Sequence, residues 1–194
     1  MPSTKNHNYF KQKNSISVDF FVRITVFKGK KTIGDLKMTL LEILSPTSIK
    51  VDLQGETKEE IIAELSNLLS KDHAVSDPNS IFQAIIEREK IMSTGIGDGI
   101  AIPHGKSDSV NQLVAALGTQ RRGVDFEALD GEPAYVFFLL VSPTNVSGPH
   151  IKALARISRY LKDEEFKKRL ISAPSAEDII SIIKREEEDK ASNA

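Results

Sequence analysis

The sequence of 194 residues contains no cysteine and no tryptophan, and only 6% of its residues are aromatic. Without thiols the chain forms neither a disulfide framework nor a thiolate metal site, which permits the reducing cytoplasm where we expect the protein to work. Its four histidines lack the close spacing of zinc ligands, so we expect no metal and no cofactor. The longest apolar run, Ala134–Val141, is far below the roughly 20 residues of a membrane-spanning helix, so we expect no direct membrane insertion.

The formal charge is close to zero but unevenly distributed along the chain. A net charge of −1 gives no reason to expect a nucleic-acid partner. Residues 1–37 carry eight basic against two acidic residues, and residues 38–194 carry eighteen against twenty-five, which gives +6 and −7. We interpret 1–37 as a basic N-terminal extension, either accessory or a misassigned start, or else an arm that docks a partner. Residues 38–188 are expected to form the domain and 189–194 a frayed, solvated tail.

Strand and helix signals alternate along the domain and predict a single α/β domain. A capping box at Thr57, an N-cap at Asp77 and the pair Gly148-Pro149 each predict the start of a helix. Continuous apolar runs at Leu113–Gly118 and Ala134–Val141 predict strands of a sheet that is covered on both faces. The other predicted elements are strands at 49–53 and 99–102 and helices at 163–171 and 175–184.

The segment 92–106 is the most informative part of the sequence. It presents His104 on a Pro-His-Gly turn, behind a run of glycines that allow unusual backbone conformations. These glycines are Gly95, Gly97, Gly99 and Gly105. The segment nearly matches a Walker A loop and a dinucleotide fingerprint, but in both motifs a required glycine falls on Ile100. We therefore reject nucleotide binding and interpret His104 as a reactive histidine.

Four segments together resemble the fructose/mannitol-type enzyme IIA domains of the bacterial phosphoenolpyruvate-dependent sugar phosphotransferase system. They occur in the family's order between about Met38 and Glu188. The segments are 86–90, which contains Arg88; 92–106; 123–133; and 150–161, which begins with His150. The resemblance implies a mixed central β-sheet with helices on both faces.

The resemblance also implies a function. His104 would accept a phosphoryl group from the phosphorylated carrier HPr and pass it to a cysteine of an enzyme IIB domain for sugar uptake. Arg88 would stabilise the phosphoryl group, and His150 would support transfer without being phosphorylated. The alternative is a nitrogen-regulatory paralogue that signals through its phosphorylation state by protein–protein contacts. A binding module that has lost transfer is a third possibility, which the intact His104, Arg88 and His150 disfavour.

The chemistry of the residues agrees with a phosphoryl carrier. A neutral imidazole is a nucleophile near pH 7, and Arg88 offers a planar bidentate cation. His150 lies in the first turn of a helix, whose positive end favours a neutral ring and an anionic ligand, although the ring could merely cap its helix. We also predict that backbone N–H groups at Gly97, Gly99 and Gly105 form a phosphoryl-binding loop.

Four other candidate residues carry weaker expectations. We expect His7 and His73 to be solvated. Asp98 would either orient His104 or bind nothing. Lys106 is expected to be an exposed residue that docks the donor or screens phosphate.

Overall fold

A mixed six-stranded sheet forms the centre of the protein, in a computed structural model that describes residues 38–70 and 75–192. The strand order is β1-β5-β6-β3-β2, and β4 also pairs with β6. β6 is antiparallel to β5 and parallel to β3 and β4, while β1 is parallel to β5. The strands are β1 Leu44–Lys50, β2 Gly95–Gly97, β3 Ile100–Ala101, β4 His104–Lys106, β5 Val114–Val124 and β6 Ala134–Ser142.

Five helices flank the sheet within the described residues, and they pack on both of its faces. They are α1 Lys58–Leu69, α2 Pro78–Ile91, α3 Gly148–Leu161, α4 Glu164–Ser172 and α5 Ala176–Ser192. Apolar residues of α1 and α2 share one core with one face of the sheet. Those of α3, α4 and α5 share a second core with the opposite face. The predicted fold, a mixed sheet with helices on both sides, is therefore confirmed.

Strand β6 separates the two cores. Its side chains alternate between them: Val136, Phe138 and Leu140 pack in the core with α3 to α5, whereas Phe137 and Leu139 pack in the core with α1 and α2. Because both faces of the strand are covered, its sequence is continuously apolar rather than alternating. This is why the apolar run predicted the strand correctly.

The helix starts follow the predicted capping chemistry. The Thr57 hydroxyl accepts the Glu60 N–H at 3.2 Å, and the Glu60 carboxylate accepts the Thr57 N–H at 3.2 Å. The Asp77 carboxylate accepts the Asn79 N–H at 3.0 Å, with Pro78 in the first turn. Gly148 and Pro149 begin α3 as predicted. The Thr57 and Asp77 caps satisfy N–H groups that have no partner inside their own helix, whereas Ser147 before α3 makes no side-chain cap hydrogen bond.

Strand limits were predicted less well than helix starts. β1 lies earlier than the predicted 49–53, and β5 extends past Gly118 to Val124. The predicted strand 99–102 is only Ile100–Ala101, and a separate strand begins at His104. Pro103 lies in the gap, where it has no N–H to donate to a strand ladder.

Helix α5 continues to Ser192, into the segment 189–194 for which the sequence predicts a frayed, solvated tail; Asp189, Ala191 and Ser192 are exposed. Contacts to its last turns hold this helix against the domain. The Glu186 carboxylate pairs with Arg169, and Glu187 accepts the Leu40 N–H at 2.7 Å. Both acidic side chains are largely buried, with 9% and 10% of their surface exposed.

Several predictions concern residues outside the described part of the chain: the extension 1–37, His7 and His73. Among residues 38–70 and 75–192, no helix is both long enough and apolar enough to cross a membrane.

Candidate functional site

His104 is the first residue of β4, opposite Leu140 of β6. The next residue, Gly105, lets this strand lie directly against α2. A Cβ atom at Gly105 would stand 3.3 Å from Ile85 Cγ1 and 3.4 Å from the Ala84 carbonyl oxygen. The close packing of β4 against α2 therefore fixes the backbone that carries the half-buried His104 side chain.

One hydrogen bond sets the tautomer of the His104 ring. Nδ1 lies 2.8 Å from the carbonyl oxygen of Ile102. Since a carbonyl oxygen only accepts, Nδ1 carries the hydrogen, and the neutral ring has its lone pair on Nε2. Burial is the main cause that lowers the pKa of His104; the nearby Arg88 charge also lowers it, against the opposing effect of the Ile102 carbonyl. The ring is thus a neutral nucleophile at pH 7.

His150 lies beside His104, as predicted. The ring centroids are 5.8 Å apart, with the planes tilted by 55°. The His150 side chain is buried in the first turn of α3, and its Nδ1 lies 2.9 Å from the Ser142 hydroxyl. Burial, followed by the neighbouring His104 and the Lys106 charge, lowers the pKa of His150 to about 4. The second ring is therefore also neutral at pH 7.

The N-terminus of α3 adds a positive electrostatic environment to the pair of rings. The first N–H groups of a helix point outward without intrahelical partners and favour anions. Lys106 Nζ donates to the Ser147 hydroxyl at 2.8 Å, directly before this helix. Its charge is close enough to His150 to lower the pKa of that ring. Lys106 therefore lies at the site, whereas the sequence predicted only an exposed residue that docks the donor or screens phosphate.

Arg88 lies in the last turn of α2, near His104. One of its terminal nitrogens donates to the Met92 carbonyl oxygen at 2.9 Å. Its charge contributes to the lowered pKa of His104. The guanidinium has further N–H groups in a fixed fork, which suits a planar or tetrahedral oxyanion.

Sequence reasoning missed the anchor behind Arg88. The buried carboxylate of Glu89 accepts the Thr94 N–H at 2.9 Å and the Thr94 hydroxyl at 2.6 Å. It also pairs with the buried Lys58 at 3.1 Å. These bonds join the end of α2 to the strand that follows. The sequence offers no local signal for this network, because Lys58 begins the preceding helix, α1, and is far from Glu89 along the chain.

The glycines of the predicted phosphoryl-binding loop do not all lie at the site. Gly97 and Gly99 flank the turn between β2 and β3, with φ of +91° and +75°. This turn lies beside Val136 of β6, whereas His104 lies beside Leu140. Val136 and Leu140 are four residues apart along β6, so the turn and His104 are separated by about 13 Å along the strand.

The predicted phosphoryl-binding loop is therefore wrong for Gly97 and Gly99. These two residues instead adopt the positive φ angles that the hairpin turn needs. Gly105 is adjacent to His104, and its missing side chain allows close packing against α2.

Asp98 lies in the same distant turn, with φ of +53°. Its N–H donates to the Asp130 carboxylate at 2.8 Å, and its carbonyl oxygen accepts from Lys167 Nζ at 2.5 Å. The carbonyl of Ile102, and not the carboxylate of Asp98, orients His104.

The described residues contain no group of three or more metal-ligating side chains. Within them the arrangement consists of a neutral imidazole nucleophile, a second neutral imidazole, two cations and a helix N-terminus. Such a set of groups in an α/β protein is chemically suited to hold an anion beside a nucleophilic histidine.

Comparison with known proteins identifies the family. The sequence profile of the phosphoenolpyruvate-dependent sugar phosphotransferase system, EIIA 2, matches residues 42–186. The chain belongs to this family, whose domains are components of a phosphotransferase system.

Relatives within the family have different names. The chain is 40% identical over 146 residues to the PTS system fructose-specific EIIABC component of Bacillus subtilis, covering 75% of this chain and only 23% of that protein. The structure of the nitrogen regulatory protein IIA-Ntr from Neisseria meningitidis matches with a TM-score of 0.68 and 32% identity, covering 73% and 97% of the two chains. The complex of enzyme IIAMTL with phosphorylated enzyme IIBMTL from Escherichia coli matches with a TM-score of 0.62 and 25% identity, covering 72% and 95%.

Proposed function

We propose that the protein is a cytoplasmic phosphoryl carrier that accepts a phosphoryl group from phosphorylated HPr on Nε2 of His104. The observation that carries this proposal is the hydrogen bond from His104 Nδ1 to the Ile102 carbonyl, which leaves Nε2 as the free nucleophile. The second imidazole, Arg88 and the N-terminus of α3 surround the ring with groups that favour an anion.

The transfer balances without a metal or a free proton. The lone pair on His104 Nε2 attacks the phosphorus of the donor's phosphohistidine, one N–P bond forms, and the other breaks with its electron pair left on the donor nitrogen. When the remaining nitrogen of each ring carries its hydrogen, the product is a phosphoimidazolium on His104 and a neutral donor histidine. The Ile102 carbonyl accepts from the Nδ1–H throughout and stabilises the charge that develops on the ring.

The acceptor in this proposal is a cysteine of an enzyme IIB domain. There the N–P bond to His104 breaks, its electron pair returns to Nε2, and a thiolate forms the new S–P bond. Support comes from the neighbouring structure in which enzyme IIAMTL is bound to phosphorylated enzyme IIBMTL. The fructose-specific name of the Bacillus subtilis relative favours a role in fructose uptake.

A regulatory role is the second candidate. The Neisseria meningitidis neighbour is named a nitrogen regulatory protein, and the chain covers 97% of it. In this role His104 is phosphorylated by the same chemistry, but the phosphoryl group stays on the protein as a signal to its partners.

Two measurements test the proposal. After phosphorylation by phosphoenolpyruvate, enzyme I and HPr, ³¹P–¹⁵N NMR should locate phosphorus on Nε2 of His104; phosphorus on Nδ1 or on another residue would overturn the assignment. Mixing the phosphorylated protein with a fructose-type IIB domain then separates the two roles. A carrier loses its phosphoryl group to the IIB domain within seconds, whereas a regulator retains it.

A further inference from the structure

Ser142 is a buried polar residue at the site to which the proposed transfer assigns no role. It is the last residue of β6, and none of its surface is exposed. The Ser142 carbonyl oxygen accepts the Ser107 N–H at 3.0 Å. Ser142 also lies opposite Lys106 in the strand pairing of β6 with β4. The sheet therefore fixes the backbone of Ser142 rather than leaving it to a flexible loop.

The Ser142 hydroxyl contacts the second histidine. Its Oγ lies 2.9 Å from Nδ1 of His150. Burial of a hydroxyl group costs free energy of folding unless the group donates its hydrogen to an acceptor. A neutral imidazole offers one nitrogen that accepts, so donation from Ser142 requires the His150 lone pair to lie on Nδ1. The hydrogen of the His150 ring must then be on Nε2.

The tautomer of His150 is thus opposite to that of His104. In His104 the Ile102 carbonyl holds the hydrogen on Nδ1 and leaves a lone pair on Nε2. In His150 the Ser142 hydroxyl holds the lone pair on Nδ1 and leaves a hydrogen on Nε2. The two rings, 5.8 Å apart, present one nucleophile and one hydrogen-bond donor.

We propose that Ser142 is a positioning residue that holds His150 in the Nε2–H tautomer, so that His150 donates a hydrogen bond to the phosphoryl group during transfer. The role in transfer rests on the proposed function, whereas the tautomer does not. In the other tautomer, the His150 Nε2 lone pair would repel phosphoryl oxygens and compete with His104 as a nucleophile. Ser142 therefore explains how two neighbouring histidines keep different roles.

Histidine-selective ¹⁵N NMR tests the tautomer directly. Long-range ¹H–¹⁵N spectra of the full chain at pH 7 distinguish the two nitrogens of each ring, with assignment from His104→Gln and His150→Gln. We expect the Nδ1–H form for His104 and the Nε2–H form for His150. Ser142→Ala should introduce the Nδ1–H form at His150, and Ser142→Thr, which keeps the hydroxyl, should preserve the wild-type form.

Transfer kinetics test the role of this tautomer. Ser142→Ala should lower kcat for phosphoryl transfer from phosphorylated HPr about tenfold, with little change in KM, because the loss concerns one hydrogen bond in the transition state. Ser142→Thr should recover most of the rate. Ser158→Ala is the matched control, since Ser158 is also buried and lies on α3 about 12 Å along the helix from His150.

Each outcome decides a separate part of the proposal. A wild-type His150 in the Nδ1–H form overturns it, and this spectrum needs no variant to fold. An altered tautomer in Ser142→Ala with an unchanged kcat removes Ser142 from transfer. If the wild-type protein accepts no phosphoryl group at all, the proposed function fails, while the tautomer result remains valid.

Discussion

At the scale of single residues, the site depends on the protonation states of two imidazole rings. Burial lowers the pKa of both His104 and His150, so both rings are neutral where a free histidine would be partly charged. The sequence predicted this pair, since His104 follows a distinctive turn and His150 begins a helix. It did not predict the Ile102 carbonyl or the Ser142 hydroxyl, because such partners are set by strand register and carry no local signal.

The lowered pKa of His104 predicts the pH dependence of phosphoryl acceptance. Protonation of Nε2 would remove the nucleophilic lone pair, and a pKa below the ordinary 6.5 delays that loss to more acidic pH. The rate of acceptance should therefore fall to half its maximum at a pH below 6.5. Stopped-flow transfer from phosphorylated HPr over pH 5–8 measures this, and a midpoint above 6.5 would contradict the account.

His150 should make the folded protein less stable in acid. The unfolded chain binds a proton near pH 6.5 and the folded chain only near pH 4, so the unfolded state is favoured as pH falls between these values. We expect the contribution of His150 to the free energy of unfolding to decrease by about 1–3 kcal/mol across this range. Urea titrations of wild type and His150→Gln at pH 7 and pH 4.5 test this, and parallel losses in both proteins would count against it.

Phosphoryl transfer should require the guanidinium group of Arg88 and not only its positive charge. Lysine keeps the charge but loses the bidentate fork, so Arg88→Lys should lower kcat for transfer, and Arg88→Ala should lower it by about 10²-fold. Arg122→Lys is the control, because Arg122 is an exposed residue of β5. Equal rates for Arg88→Lys and wild type would remove the bidentate contact from the mechanism.

At the scale of helices and strands, local chemistry predicts starts better than ends. Thr57, Asp77 and Gly148-Pro149 predicted helix starts because caps act through neighbouring backbone groups. The limits of β1 and β5 were missed because pairing partners, not local residues, decide where a strand ends. The glycines show the same limit: the sequence indicates unusual backbone at Gly97 and Gly99, but only the sheet register shows that their turn is remote from His104.

Gly105 tests the packing of β4 against α2. Gly105→Ala places a methyl group 3.3 Å from Ile85 Cγ1 and 3.4 Å from the Ala84 carbonyl, and the neighbouring helix must give way. We expect a loss of about 1–3 kcal/mol in the free energy of unfolding. Gly148→Ala is the control, because a Cβ there meets no atom within 4 Å. Urea denaturation of both variants measures the difference; equal stability would show that α2 does not limit this position.

At the scale of the whole molecule, the site lies where both packed layers meet one end of the sheet. β6 ends at Ser142 beside β4; α2 approaches from one core and α3 from the other. The sequence predicted the layers and the central apolar strand, which follow from composition and periodicity. It did not predict that α5 continues to Ser192, or that long-range ion pairs bury Glu186 and Glu187.

The C-terminal helix should therefore contribute to global stability. Removing residues 186–194 deletes the partners of Arg169 and of the Leu40 N–H, and we expect a loss of at least about 2 kcal/mol in the free energy of unfolding. Glu188→Ala is the control, because Glu188 is an exposed acidic residue of the same helix, and it should leave the free energy unchanged. Equal stability of the truncated protein and the wild type would show that these contacts do not stabilise the domain.

The most direct test of the central claim is intact-mass spectrometry of the protein after incubation with phosphoenolpyruvate, enzyme I and HPr. The wild type should gain one acid-labile phosphoryl group. His104→Ala should gain none, and His73→Ala, which alters a histidine without an assigned role, should behave as wild type. A wild type that gains no phosphoryl group from active enzyme I and HPr, or a His104→Ala variant that still gains one, would contradict the account.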